Sequence, residues 1–187
     1  MATLYYDLGS PYSYLAVERA HVVLPAPPTL RPILVGAIFN HRGYGSWGHM
    51  DTRAAHQAGI EARAARYGLP PIAWPPGWPN DTLAAMRATV WAQRDHGAGD
   101  AFARAAFRAA FADGADLSDR DALVAVAATV DGLPAHDLLG AIADPEVKAA
   151  LRAATDAALA LGVPGVPTLA LGDGRLLFGD DRLEEAA

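Results

Sequence analysis

The chain opens on a short β-prone run, Thr3-Leu4-Tyr5-Tyr6, and then changes character at once. Asp7-Leu8-Gly9-Ser10-Pro11 is turn chemistry, with Ser10 suited to N-cap a helix and Pro11 to its first position. Tyr14, Leu15, Val17, Ala20 and Val22 carry an apolar face onward to about Leu24, where the prolines of residues 25–28 end it. A second β-prone run, residues 29–35, follows at the spacing of a β-α-β unit and predicts a right-handed crossover onto a parallel strand. Pro32 puts that strand at an edge or near an end. Residues 36–48, with their glycines, Asn40, Tyr44, Ser46 and Trp47, read as a long loop.

From there the period is helical. Helices are expected over residues 51–67, 81–96 (capped near Asn80 or Asp81), 100–112, 119–130, 134–142 and 145–161, with an irregular proline and tryptophan segment at 68–79. Strand character returns after Gly165-Val166-Pro167: Thr168-Leu169-Ala170-Leu171, a Gly172-Asp173-Gly174 turn and Arg175-Leu176-Leu177-Phe178 form a hairpin. Asp180 or Asp181 then caps a short terminal helix. The order β-α-β, helical block, β-β-α describes an α/β chain of thioredoxin-like fold with an inserted all-helical domain. Residues 1–38 and 162–187 make the thioredoxin-like part. Residues 39–161 make the insertion, whose loop and last helix pack back on the sheet.

Composition narrows the chemistry. The chain has 187 residues, enough for one good core or a small core with a large insertion, and it is 52% hydrophobic, much of that alanine. A formal net charge of −6 argues against nucleic acid as a partner. No apolar run approaches the roughly 20 residues that span a bilayer, and the N-terminus lacks a basic leader, so a cytoplasmic protein is expected. With 0 cysteines there is no disulfide, no thiolate metal site and no protein thiol nucleophile, so any sulfur chemistry uses a borrowed sulfur. Of the 6 histidines, His49 and His56 lie about two helical turns apart, without a third ligand at metal spacing. They read as solvated or capping residues, and no metal is expected.

Three places carry chemistry. Ser10-Pro11, at a strand-to-helix junction, offers backbone N–H groups and a helix dipole to an anion; its hydroxyl could favour a thiolate, or serve only as an N-cap. Val166-Pro167 precedes an apolar strand; a cis bond there would present the Val166 backbone to an extended peptide, whereas a trans proline would merely start the strand. Asp180 and Asp181 stand where they could engage an ammonium group or simply cap the last helix. The nucleophile elbow of hydrolases, phosphate-binding loops and dinucleotide fingerprints are absent.

Taken in order, Tyr6-Asp7-Leu8-Gly9-Ser10-Pro11-Tyr12-Ser13-Tyr14-Leu15-Ala16, Arg31-Pro32-Ile33-Leu34-Val35-Gly36-Ala37-Ile38-Phe39, Gly165-Val166-Pro167-Thr168 and Leu177-Phe178-Gly179-Asp180-Asp181-Arg182-Leu183 resemble the 2-hydroxychromene-2-carboxylate isomerase family, a branch of the DsbA and kappa-class glutathione transferase group. The resemblance implies glutathione, or another low-molecular-weight thiol, with its sulfur near Ser10. It also implies that the backbone of Val166, before a cis Pro167, pairs with the cysteinyl part, and that Asp180 and Asp181 receive the γ-glutamyl ammonium. Tyr44 and Arg53 align where relatives place an asparagine and a lysine that hold glutathione or substrate; arginine still binds a carboxylate. Tyr12, Trp47, His56 and Trp78 are the substrate-side candidates for a small aromatic acid, since a planar anion needs one cation and an aromatic wall.

The expected reaction is glutathione-dependent cis-trans isomerisation. A kappa-like transferase or peroxidase, or a non-catalytic thiol- or peptide-binding protein, are the alternatives. A homodimer is expected, as in many relatives. Trp74-Pro75-Pro76-Gly77-Trp78 reads as an exposed aromatic segment serving as a lid or an interface.

Overall fold

A row of four leucines sets the register of the central sheet. Leu4 of β1 (Thr3–Tyr6) lies opposite Leu30 of β2 (Thr29–Pro32) on one side and Leu169 of β3 (Thr168–Ala170) on the other. Leu169 in turn faces Leu177 of β4 (Leu176–Phe178). All four are buried in the larger of the two core clusters, each contributing about 1.5–3 kcal/mol of apolar burial. The strand order is β2-β1-β3-β4, with β1 and β2 parallel and the other pairs antiparallel, so the halves of the sheet come from opposite ends of the chain. The computed structural model describes residues 2–186.

Between β1 and β2 runs α1 (Pro11–Val23), which begins where the Ser10-Pro11 signal places it. The helices that follow β2 are α2 (Val35–Arg42), α3 (Arg53–Arg66), α4 (Leu83–His96), α5 (Gly99–Phe111), α6 (Arg120–Ala128), the single turn α7 (Leu138–Ala141) and α8 (Pro145–Leu161). Aromatic side chains join sheet to helices: Tyr6 packs on Phe107 at 5.7 Å between centroids and Tyr14 on Phe111 at 5.7 Å. α8 lies against β2 and α2, where the Thr155 hydroxyl oxygen accepts the Leu34 N–H at 3.1 Å.

Three expectations are corrected. β2 stops at Pro32 rather than residue 35, its last cross-strand bond being Ile33 N–H to the Tyr6 carbonyl at 3.0 Å. Residues 36–48 are not one long loop: α2 occupies 35–42 and a short 3-10 turn Trp47–His49. Ile38 is fully buried among Ile33, Ala158, Val163 and Val166, and that packing outweighs the local glycines. Gly43, in the left-handed conformation at φ 75°, closes α2. Trp78 is 4% exposed, so the tryptophan segment is anchored at that end rather than exposed. The short terminal helix expected after Asp180 is present, as a 3-10 helix over Asp180–Ala186.

Candidate functional site

The site grows from the turn between β1 and α1. Ser10 caps α1 through Oγ, which accepts the Ser13 N–H at 3.2 Å, and the Ser10 N–H donates to the Asp7 carbonyl at 3.0 Å. Among the described residues nothing accepts the Ser10 hydroxyl proton. Capping uses the oxygen as an acceptor and leaves the O–H able to donate elsewhere. The two readings of Ser10 are therefore compatible.

Asp7, which the sequence reading did not single out, organises the floor. Its Oδ1 accepts the Gly9 N–H at 2.8 Å and the Thr82 hydroxyl at 3.2 Å, and its Oδ2 accepts the Val35 N–H at 2.9 Å. One carboxylate thus ties together the starts of α1, α2 and α4. Burial pushes the Asp7 pKa up against these three bonds, and the nearby Asp81 adds to the rise. Thr82, at the N-cap of α4, makes no side-chain bond to that helix; Asp81 serves its first turn, Oδ1 accepting the Leu83 N–H at 2.8 Å.

Above this floor opens a cavity of about 610 Å³. Ser10, Tyr44, Trp47, Trp78 and Val166 line it, together with Phe39, Met50 and Phe178. Trp78 donates its indole N–H to the Gly9 carbonyl at 3.2 Å and packs on Trp47 at 4.9 Å, fixing an aromatic wall beside Ser10. Tyr44 donates its hydroxyl to the Pro164 carbonyl at 2.7 Å, strapping the end of α2 to the segment before β3. The Val166-Pro167 bond is cis, and so is Trp78-Pro79. Neither the N–H nor the carbonyl of Val166 has a partner among the described residues.

The remaining sequence candidates lie behind this wall. Tyr12 and His56 hydrogen-bond at 3.0 Å, and His56 stacks on Trp47 at 4.7 Å, so His56 is held in an aromatic cluster rather than solvated. Arg53 holds its guanidinium 5.6 Å from the Trp78 ring centroid and is not among the lining residues. Asp180 is fully buried: Oδ1 accepts from Arg63 at 2.6 Å and Oδ2 from the Tyr67 hydroxyl at 3.1 Å. Asp181 also pairs with Arg63, at 3.3 Å, but keeps half its side chain exposed. Gly179 joins this acidic pair to Pro167, its N–H donating to the Pro167 carbonyl at 3.0 Å. Among the described residues no group of three or more histidine and acidic side chains is placed to hold a metal, and no helix is long and apolar enough to cross a membrane.

Asp7 and Arg63 are the residues that sequence reasoning missed. A single acid between a strand and a Gly-Ser-Pro turn is the only local signal for Asp7, and Arg63 gives none, because its partner lies 117 positions away.

Residues 2–187 match the family model described as a DSBA-like thioredoxin domain. Glutathione S-transferase kappa 1 of Homo sapiens is 30% identical over 196 residues, covering 97% of this chain and 86% of that protein. Among solved structures, a 2-hydroxychromene-2-carboxylate isomerase is similar with TM-score 0.85 and 21% identity, over 97% of this chain and 90% of that one. A cytosolic disulfide reductase, DsbM from Pseudomonas aeruginosa with GSH, is similar with TM-score 0.64 and 20% identity, over 99% of this chain and 93% of that one. These structural likenesses establish the fold.

Proposed function

Since the chain belongs to the DsbA-like thioredoxin-domain family and is related over 97% of its length to a kappa-class glutathione transferase, we propose that it is a glutathione-dependent enzyme that holds the tripeptide's sulfur at Ser10 and brings a conjugated electrophile to it. One observation carries the reading. The Ser10 hydroxyl proton has no acceptor among the described residues, while its oxygen caps the helix whose first turn lines the same cavity.

The surrounding residues suit glutathione at three of its groups. The N–H and carbonyl of Val166, without a partner among the described residues, match an extended peptide unit. Asp181, half exposed, offers a carboxylate to an ammonium, whereas Asp180 is committed to Arg63 and Tyr67 and acts through their positions. Ser10 donates to the sulfur and, with the α1 dipole, favours its ionised form. Bound glutathione would supply the nucleophile for reversible addition to a conjugated double bond, whose π pair would be taken up by the conjugated carbonyl and returned when the sulfur is released. Trp47 and Trp78 hold the acceptor's plane beside Ser10.

Expulsion of the sulfur would make the reaction a cis-trans isomerisation, which the likeness to the isomerase structure supports; retention, with a proton from water completing the adduct at the neighbouring carbon, would make it a transfer, which the relationship to the kappa-class enzyme supports. Dithiol exchange by the protein itself is excluded by the sequence, which has 0 cysteines.

Calorimetric titration with glutathione of the wild type and of Ser10→Ala tests the proposal. Binding to the wild type, together with turnover of a conjugated electrophile that falls at least about a hundredfold in Ser10→Ala, is the expected result. Absence of binding would remove the glutathione assignment, and binding without turnover of any electrophile would make the protein a binding module.

A further inference from the structure

We infer that the cavity beside Ser10 takes an uncharged, planar, apolar electrophile and discriminates against one that carries a carboxylate. The inference rests on the thiol reading for the word electrophile, but its grounds are separate. Among the described residues no arginine, lysine or histidine lines the cavity; the acidic side chains lining it are Asp7 and Asp81. Arg53, the cation expected to receive a substrate carboxylate, sits over the Trp78 ring instead.

Helix N-termini are the other source of positive potential, and three of them meet here. Two already carry a carboxylate of the chain itself. Asp7 Oδ2 takes the Val35 N–H at the start of α2, and Asp81 Oδ1 takes the Leu83 N–H at the start of α4. The third, at α1, has Pro11 without an N–H in its first position and the Ser13 N–H bound to Ser10 Oγ, so what remains of its field acts at Ser10, where the sulfur would lie. A substrate carboxylate entering this space would lose water, meet no counter-charge and face the acidic side chains of Asp81 and Asp7. An uncharged ketone or ester loses little, and it finds Phe39, Met50, Trp47, Trp78 and Phe178 as walls, with Asn40 able to donate to a carbonyl.

A pair of unreactive ligands of nearly equal shape, benzylacetone and hydrocinnamate, separates charge from size. Their binding to the 187-residue protein at about pH 7, where the acid is ionised, is read by quenching of tryptophan fluorescence and by calorimetry, without any turnover. The ketone is expected to bind at least about tenfold more tightly than the acid. Asp81→Asn, which keeps the oxygen that caps Leu83, is expected to shrink that preference at least about twofold. Equal or tighter binding of hydrocinnamate overturns the inference, as does failure of both ligands to bind. A ketone preference untouched by both Asp81→Asn and Asp7→Asn removes its electrostatic basis. Glutathione binding, measured independently, tells the two readings apart: if glutathione fails while the ketone preference holds, the thiol reading falls and the ligand class stands.

Discussion

Arg63 reaches from α3 to Asp180 at the end of β4, with Nη1 2.6 Å from Oδ1, and so pins the helical part of the chain to the last turn of the sheet. Tyr67 donates to the other carboxylate oxygen, and Arg19 donates to the Asp180 carbonyl at 2.9 Å. Burial still wins over these partners and holds the Asp180 pKa above its usual value. Removing the cation as Arg63→Met leaves a buried carboxylate with one neutral donor. Breaking a fully buried pair costs about 3–5 kcal/mol; because Arg63 keeps 30% of its side chain exposed, a loss of about 2–3 kcal/mol is expected, read as a lower urea midpoint. The loss should grow as pH rises from below the ordinary Asp value, because the ionised form is the one left without its partner.

Asp7→Asn tests the pin at the floor of the site. The amide keeps one acceptor oxygen but turns an NH₂ toward either the Val35 N–H or the Gly9 and Thr82 donors, so a loss of about 1–3 kcal/mol is expected at low pH. Since burial raises the Asp7 pKa, the wild type binds this proton more tightly folded than unfolded. The stability it contributes is fully present below the unfolded value of 3.8 and declines as pH rises through the folded value. The advantage of wild type over Asp7→Asn should therefore shrink as pH increases, measured by denaturation at a series of pH values.

Gly48→Ala probes the aromatic wall from behind. A Cβ at this position would lie 3.0 Å from Pro79 Cγ and 3.2 Å from the Trp78 ring. Both neighbours are held, Trp78 by its bond to Gly9 and Pro79 by its ring, so the contact cannot be relieved by a freely swinging side chain. A stability loss of about 1–3 kcal/mol is expected, with a change in tryptophan emission as Trp78 moves against Trp47. An unchanged emission spectrum would mean that the wall is softer than its packing implies.

Much of this architecture could be read from residues near one another in sequence. Thr3-Leu4-Tyr5-Tyr6 ahead of Gly9-Ser10-Pro11 marked strand and helix start because both signals are local, and the Gly172-Asp173-Gly174 turn marked the hairpin for the same reason. α2 was missed because its glycine and asparagine speak for a loop, while the case for a helix lies in Ile38 meeting Ala158 and Val163, residues about 120 positions on. At the site, Ser10, Val166, Trp47 and Trp78 were legible from motif and type. The commitment of Asp180 to Arg63, and the departure of Arg53 from the cavity to the Trp78 face, belong to tertiary packing and leave no local trace.

The central claim is that Ser10 holds an ionised sulfur, and the ultraviolet absorbance of the thiolate reads this directly. Glutathione bound to the wild type, titrated with pH against the free tripeptide, should show thiolate well below the ordinary thiol range near about 8.5, and Ser10→Ala should move that titration up by about one unit or more. Coincident titrations for the two proteins, or a bound sulfur that stays neutral near about pH 7, would contradict the assignment of Ser10.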